Sequence, residues 1–184
     1  MIRTVPFEDL AAKAVIDRLD PADHLECELV RGSAATGLAI WADWRAMEGY
    51  RLASFVALAG TVPFAVFGLS NTGQAGVAQA ALLARDHLAF RLPLARLAVM
   101  IRHALPDYAA RGGVHRIEAR SWAEHPRAPW LLRGLGFRQE CEMRSFGLTG
   151  AISFRQWAWL AADRLPAPVS ACQDPTEYRI EPCA

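Results

Sequence analysis

His125-Pro126-Arg127-Ala128-Pro129-Trp130-Leu131-Leu132-Arg133-Gly134-Leu135-Gly136-Phe137 is the stretch whose reading decides the fold. It follows residues 114–122, where Ile117-Glu118-Ala119-Arg120 alternates apolar and polar side chains as a strand does. Two prolines stand at its start and two glycines at its end, which frames a short helix over residues 126–134. Gly136-Phe137 then turns the chain into residues 137–146, a strand, and residues 153–160 form another that pairs with it.

Upstream, Pro93 opens a helix with Leu94, Leu97, Ala98, Ile101 and Leu105 on one stripe. Pro106 is expected to kink it and Gly112-Gly113 to end it. Earlier still, residues 52–58, 63–69 and 76–84 are apolar runs separated by Ala59-Gly60-Thr61 and Ser70-Asn71-Thr72-Gly73. They read as a β-meander at the centre of a sheet covered on both faces.

Residues 2–5 make a short first strand. A helix carrying Phe7, Leu10, Ala11, Ala14, Val15 and Leu19 follows, then one opened by Pro21 and closed by Gly32-Ser33. Residues 34–47 form a third, in which Trp41 and Trp44 share a face and pack inward. The expectation is an α/β (α+β) fold: a mixed central sheet of about six to seven strands with helices on both faces. One domain spans residues 1–165, with 1–49 its helical part and 50–160 the meander and cleft-forming half. Residues 166–184 hold four of the eleven prolines and read as an extended arm.

The composition limits what this domain does. The chain has 184 residues, 53% of them hydrophobic and 21% charged, an ordinary globular mixture. No apolar run reaches the roughly 20 residues of a membrane helix. The N-terminus lacks the apolar core of a secretory signal. Cys27, Cys141, Cys172 and Cys183 are scattered, as in a reduced cytoplasmic protein, and neither they nor His103, Asp107, His115 and Glu118 have metal-ligand spacing. The net charge of +1 gives the whole chain no attraction to nucleic acid. Residues 85–138, however, carry ten arginines against four acids, and arginine suits phosphate and carboxylate.

With its flanking strands, the opening segment resembles the GNAT superfamily of N-acetyltransferases. That family shows an Asn, a small residue three later, an apolar residue followed by a tyrosine, and a closing Gly-Phe. Here Ala128, Leu131, Gly136 and Phe137 fall in that register, and the likeness covers roughly residues 50–160. It implies an acyl-CoA cleft crossed by the short helix, acetyl-CoA as cofactor, and cofactor contacts from His125, Ala128 and Leu131. Two positions depart: His125 stands in place of the Asn, and Leu132 at or near the tyrosine that protonates the leaving thiolate.

The family's glycine-rich pyrophosphate loop is also missing. Asp86-His87-Leu88-Ala89-Phe90-Arg91-Leu92-Pro93-Leu94-Ala95-Arg96 has no glycine, and Pro93 deletes an amide. Phe90, Arg91 and Arg96 are the candidate cofactor contacts there, with the arginines as side-chain phosphate ligands or as solvated residues at a helix start. For proton transfer the candidates are Glu118, on the strand before the short helix, and His87, after the meander. An ion pair with Arg116 or Arg120 is the alternative for Glu118, and a capping role beside Asp86 the alternative for His87.

The same pattern, loop lost and strand–helix–Gly segment kept, resembles acetyltransferase-like proteins of tailed phages, some of them internal virion proteins. Three functions remain open: an N-acyltransferase with an arginine grip, an inactive fold kept as a structural or virion-associated component, and an acyl-CoA or anion binder; the expected location is the cytoplasm or a virion-like particle. A protein partner is expected on the arm 166–184 and on strand 153–160. Trp157 and Trp159 face one side of that strand and Phe154 the other, which fits a buried strand or a docking face.

Overall fold

The computed structural model describes residues 1–164. The arm 166–184 lies outside the described residues. In chain order come β1 (Ile2–Pro6), α1 (Asp9–Ile16), α2 (Pro21–Arg31), α3 (Gly37–Ala46), β2 (Arg51–Ala59), β3 (Val62–Asn71) and β4 (Val77–Ala84). Then follow α4 (Arg91–Arg111), β5 (Arg116–Trp122), α5 (Ala128–Leu135), β6 (Arg138–Phe146) and β7 (Ile152–Leu160). The strands form one mixed seven-stranded sheet in the order β1-β2-β3-β4-β5-β7-β6, and only β4 and β5 run parallel. The expected fold class, the meander and the final strand pair are all present.

Local capping moves several helix ends from where periodicity sets them. Helix α3 starts at Gly37, not at residue 34, because Thr36 accepts the Ala39 N–H as its cap. Helix α4 starts two residues before Pro93, which then sits in the first turn where an amide is dispensable. It runs unbroken past Pro106 to Arg111. Helix α5 ends at Gly136, whose φ of 94° is the left-handed cap that glycine adopts without strain.

One face of the sheet holds α1 and α3 through Ala12, Val15, Ile16 and Ile40 against Val56 and Val66, with Trp41 and Trp44 packed alongside. On the other, the first half of α4 (Leu94, Leu97) covers Ala57, Phe64, Ala65 and Ala84. The second half of α4 and α5 bury Ile117, Ala119, Trp157 and Trp159. Strand β7 lies between β5 and β6, and Phe154, Trp157 and Trp159 are all buried. Of the two readings of this strand the buried one holds, so its aromatics are not a docking face. No helix among the described residues is long and apolar enough to cross a membrane.

Candidate active site in the splay between two parallel strands

Strands β4 and β5 pair only at Val77↔Arg116, Ala78↔Ile117 and Gln79↔Glu118. Both continue, to Ala84 and Trp122, but no strand of the described residues lies between them there. The sheet opens into a V. On its far side β4 stays paired with β3 up to Ala65↔Ala84, and the Arg85 N–H donates to the Phe64 carbonyl at 2.9 Å. Backbone groups alternate along a strand, so Ala84, Leu82 and Ala80 turn their amides and carbonyls into the gap.

Helix α2 closes the top of this gap with two carboxylates one turn apart. The Ala84 N–H donates to Asp23 Oδ2 at 2.7 Å, and across the gap the Trp122 N–H donates to Glu26 Oε2 at 3.0 Å. The Asp20 N–H donates to the Ala84 carbonyl at 2.9 Å. Each diverging strand thus gives its last inward amide to an acid on α2.

Asp23 also joins the loops that follow the two strands. Its Oδ1 lies 3.0 Å from His87 Nε2 and 3.0 Å from His125 Nε2, with all three residues buried. The Ala128 and Arg127 amides donate to His125 Nδ1 at 2.9 and 3.2 Å. That nitrogen is therefore unprotonated, and Nε2 carries the hydrogen given to Asp23. Burial works against the Asp23 charge, but the bonds from His125, His87 and Ala84 outweigh it and hold the carboxyl below its usual range. Burial likewise opposes charge on His87. The bond to Asp23 and the charges of Asp23 and Asp20 win, raising its pKa. His87 Nδ1 is buried without a hydrogen bond, 3.5 Å from Asp20 Oδ1.

One carboxylate and two histidines this close could also grip a cation. The His125 bonds argue otherwise. A metal on Nε2 would require a hydrogen on Nδ1, where two amide hydrogens already point. The cluster is a hydrogen-bonded staple, not a metal site.

Glu26 is half-buried, and its carboxyl is pushed up to about 7 by burial, against the pull of the Trp122 N–H and His125. It is poised to exchange a proton at neutral pH. Burial, with the Asp23 and Glu26 charges, pushes the neighbouring Cys27 thiol up to about 12, which removes it as a nucleophile.

The residues singled out from sequence fall in different places. His87 and His125 meet across Asp23, their rings 5.8 Å apart. Glu118 sits in the closed part of the sheet opposite Gln79, 2.7 Å from Arg116, which also binds Glu140. Phe90 stacks on Phe64 at 5.5 Å as part of the core. Leu131 packs against the core and Ala128 is half-buried at the start of α5. Arg91 and Arg96 are exposed on the first turns of α4. Asp23 and Glu26 escaped the sequence reading, which saw the opening turn of a helix; the three-residue spacing of Asp20, Asp23 and Glu26 was the available signal.

Asp86 caps the turn of residues 87–90 that leads into α4. The Leu88 and Ala89 N–H groups donate to Asp86 Oδ1 at 3.1 and 2.9 Å, and the Phe90 N–H to the Asp86 carbonyl at 3.0 Å. A shallow depression of about 470 Å³ lies here, lined by Asp86, Leu88, Ala89, Arg91, Leu92 and Pro93.

No family's sequence model matches the chain, and no curated protein matches it. Solved structures do. A GNAT-family acetyltransferase from Bacillus anthracis aligns at a TM-score of 0.66 and 13% identity, over 88% of this chain and 95% of that one. Spermidine N-acetyltransferase from Vibrio cholerae, in complex with CoA and spermine, aligns at 0.62 and 12%, over 88% and 96%. The ribosomal-protein-S18-alanine N-acetyltransferase from Escherichia coli aligns at 0.61 and 16%, over 88% and 94%. The mixed seven-stranded sheet with its five helices matches the GNAT acetyltransferase fold.

Proposed function

We propose that the protein is an acetyltransferase-like N-acyltransferase working in the β4–β5 splay, with Glu26 as the group that takes the proton from the acceptor amine. The observation that carries this is the pairing of an open strand edge with a carboxyl poised near neutrality at its top. The inward backbone groups of Ala80 and Leu82 fit the amides of a pantetheine arm, which would lie along β4 like an added strand. A bound acyl thioester supplies an electrophilic carbonyl and a thiolate leaving group.

The chain's own part is positioning and proton transfer. Glu26, its pKa raised by burial to about 7, removes the amine proton in its ionised form as the C–N bond forms and the C–S bond breaks. Leu132 offers no proton to the departing sulfur, so water supplies it. Asp23, His87 and His125 hold the two loops and α2 at fixed spacing around the gap.

The diphosphate end of acetyl-CoA does not fit in the family's manner. Pro93 in the first turn of α4 has no amide to give, and no glycine lets the backbone approach. That misfit favours a second reading, in which the fold is kept as a structural or virion-associated component whose partner binds the arm 166–184. Deleting 166–184 would then abolish assembly while leaving the domain folded.

The deciding experiment is calorimetry with acetyl-pantetheine and acetyl-CoA, followed by an acylation assay over a panel of amines. Binding, turnover, and a rate loss of about 10²–10⁴ in Glu26→Gln with binding unchanged support the acyltransferase. A fully active Glu26→Gln protein removes Glu26 from the mechanism. No binding at millimolar thioester leaves the structural reading.

A further inference from the structure

Resting on the acyltransferase reading, the structure also points to what the acceptor carries besides its amine. Side chains alternate along β5, so Arg116, Glu118, Arg120 and Trp122 share one face of the sheet, opposite the buried Ile117 and Ala119. That is the face on which α1, α3 and, through Cys27, α2 pack. Arg120 therefore lies on the same side of the sheet as Glu26. It is also the first residue of that face beyond Gln79↔Glu118, the last pair before β4 and β5 part.

Arg120 is exposed, and its Nε donates to Oε1 of Gln156 at 3.2 Å. Gln156 stands directly opposite on β7 and is buried, so it holds the guanidinium by one edge. Arg120 forms no ion pair among the described residues, although acids surround it. Glu118 is held at 2.7 Å by Arg116, which also binds Glu140. Glu26 takes the Trp122 N–H, and Glu124 is exposed in the loop beyond Trp122. A guanidinium fixed at Nε keeps its other two nitrogens for a planar, two-oxygen ligand, which is a carboxylate.

Glu26 anchors on Trp122, two residues and about 7 Å along β5 from Arg120. The amine and carboxylate of one amino acid, with a hydrogen bond of about 2.9 Å at each end, bridge such a distance. A polyamine would instead meet a like charge at Arg120.

We infer that the acceptor is a free amino acid, its amine at Glu26 and its carboxylate on the Arg120 guanidinium, which Gln156 positions. The amine reacts in its neutral form. Its nitrogen bonds the thioester carbon, its proton passes to Glu26, and the thiolate leaves and takes a proton from water. The acceptor carboxylate is unchanged.

The test uses the full-length protein with acetyl-pantetheine and acetyl-CoA as donors. Its acceptors are the standard amino acids, each beside its carboxamide and its decarboxylated amine, with spermidine as a polyamine. The expected result is a kcat/KM for the preferred amino acid at least tenfold above that of its carboxamide, the difference lying in KM. Arg120→Gln, which can still donate to Gln156, should erase that preference and leave carboxamide turnover within twofold. Arg120→Lys, which keeps the charge without the fork, should retain part of it. Calorimetry with the N-acetylated amino acid and its carboxamide gives the same comparison without turnover. Carboxamides or spermidine acylated as well as amino acids would overturn the inference while the acyltransferase reading stands, and so would an undiminished preference in Arg120→Gln. If neither thioester binds and no amine is acylated, both readings fall together.

Discussion

Helices α4 and α5 begin at equivalent places, just past the ends of neighbouring parallel strands, yet the turns that lead into them are capped in different ways. In the turn before α4 the amides of Leu88 and Ala89 are taken by a carboxylate, Asp86. At α5 those of Arg127 and Ala128 go to an uncharged ring nitrogen of His125, whose other nitrogen is tied to Asp23. A carboxylate is built into the turn before the first helix, and a buried uncharged ring into the start of the second. The lesson is that a helix N-terminus is an anion site only while its amides are unspent. Here the splay keeps its open strand edge, and the chain itself caps the turn before α4 and the start of α5.

The largest test breaks the link between the two sides. Asp23→Ala strips both histidines and the Ala84 amide of their shared acceptor and should cost about 3–5 kcal/mol. For a chain of this size that lowers Tm by roughly 10 °C, as thermal unfolding followed by circular dichroism would register. An unchanged Tm would mean the staple holds nothing.

Next comes Glu26, through pH. Its carboxyl sits near 7 in the folded protein against an ordinary 4.5, so the folded state binds more protons between those values. Stability therefore falls as pH rises from about 4.5 through 7. Glu26→Gln, which still accepts the Trp122 N–H, should be more stable than the parent at pH 8 by up to about 3 kcal/mol and equal to it near pH 4.5. Denaturant curves at both pH values read this directly, and parallel pH profiles for parent and variant would refute it.

The α5 side is sharpened at His125. Replacement by Ala removes the cap and a bond to Asp23, for about 2 kcal/mol, whereas Asn retains a capping oxygen and should lose about 1. Equal losses in chemical denaturation would show that the cap contributes little. The smallest effect belongs to the α4 side. Asp86→Asn preserves an acceptor for Leu88 and Ala89 and changes stability by a few tenths of a kcal/mol. By removing the charge it should tighten acetyl-CoA by about 1 kcal/mol, roughly fivefold, with acetyl-pantetheine unchanged. Competition between the two ligands measures that difference.

Much of the fold was legible because it is written in local patterns. The apolar runs of the meander, the stripe of Leu94, Leu97, Ala98, Ile101 and Leu105, and the turn at Gly136 each specify an element within a few residues. Element ends were less legible, since Thr36 and His125 set them through side-chain caps that periodicity does not reveal. Glu118 looked well placed in the sequence because strand β5 was known but the point where it leaves β4 was not. In space it lies on the closed side of that point, beside Arg116.

The sequence by itself determined the order and kind of the elements, since a side-chain period of two or of 3.6 residues is a property of consecutive residues. Only the tertiary structure decided which groups face the gap. Asp23 meets Ala84 across 61 positions, Glu26 meets Trp122 across 96, and Asp23 meets His125 across 102. Those meetings follow from where two parallel strands part and how a helix packs over the opening. No local pattern in the chain encodes that point.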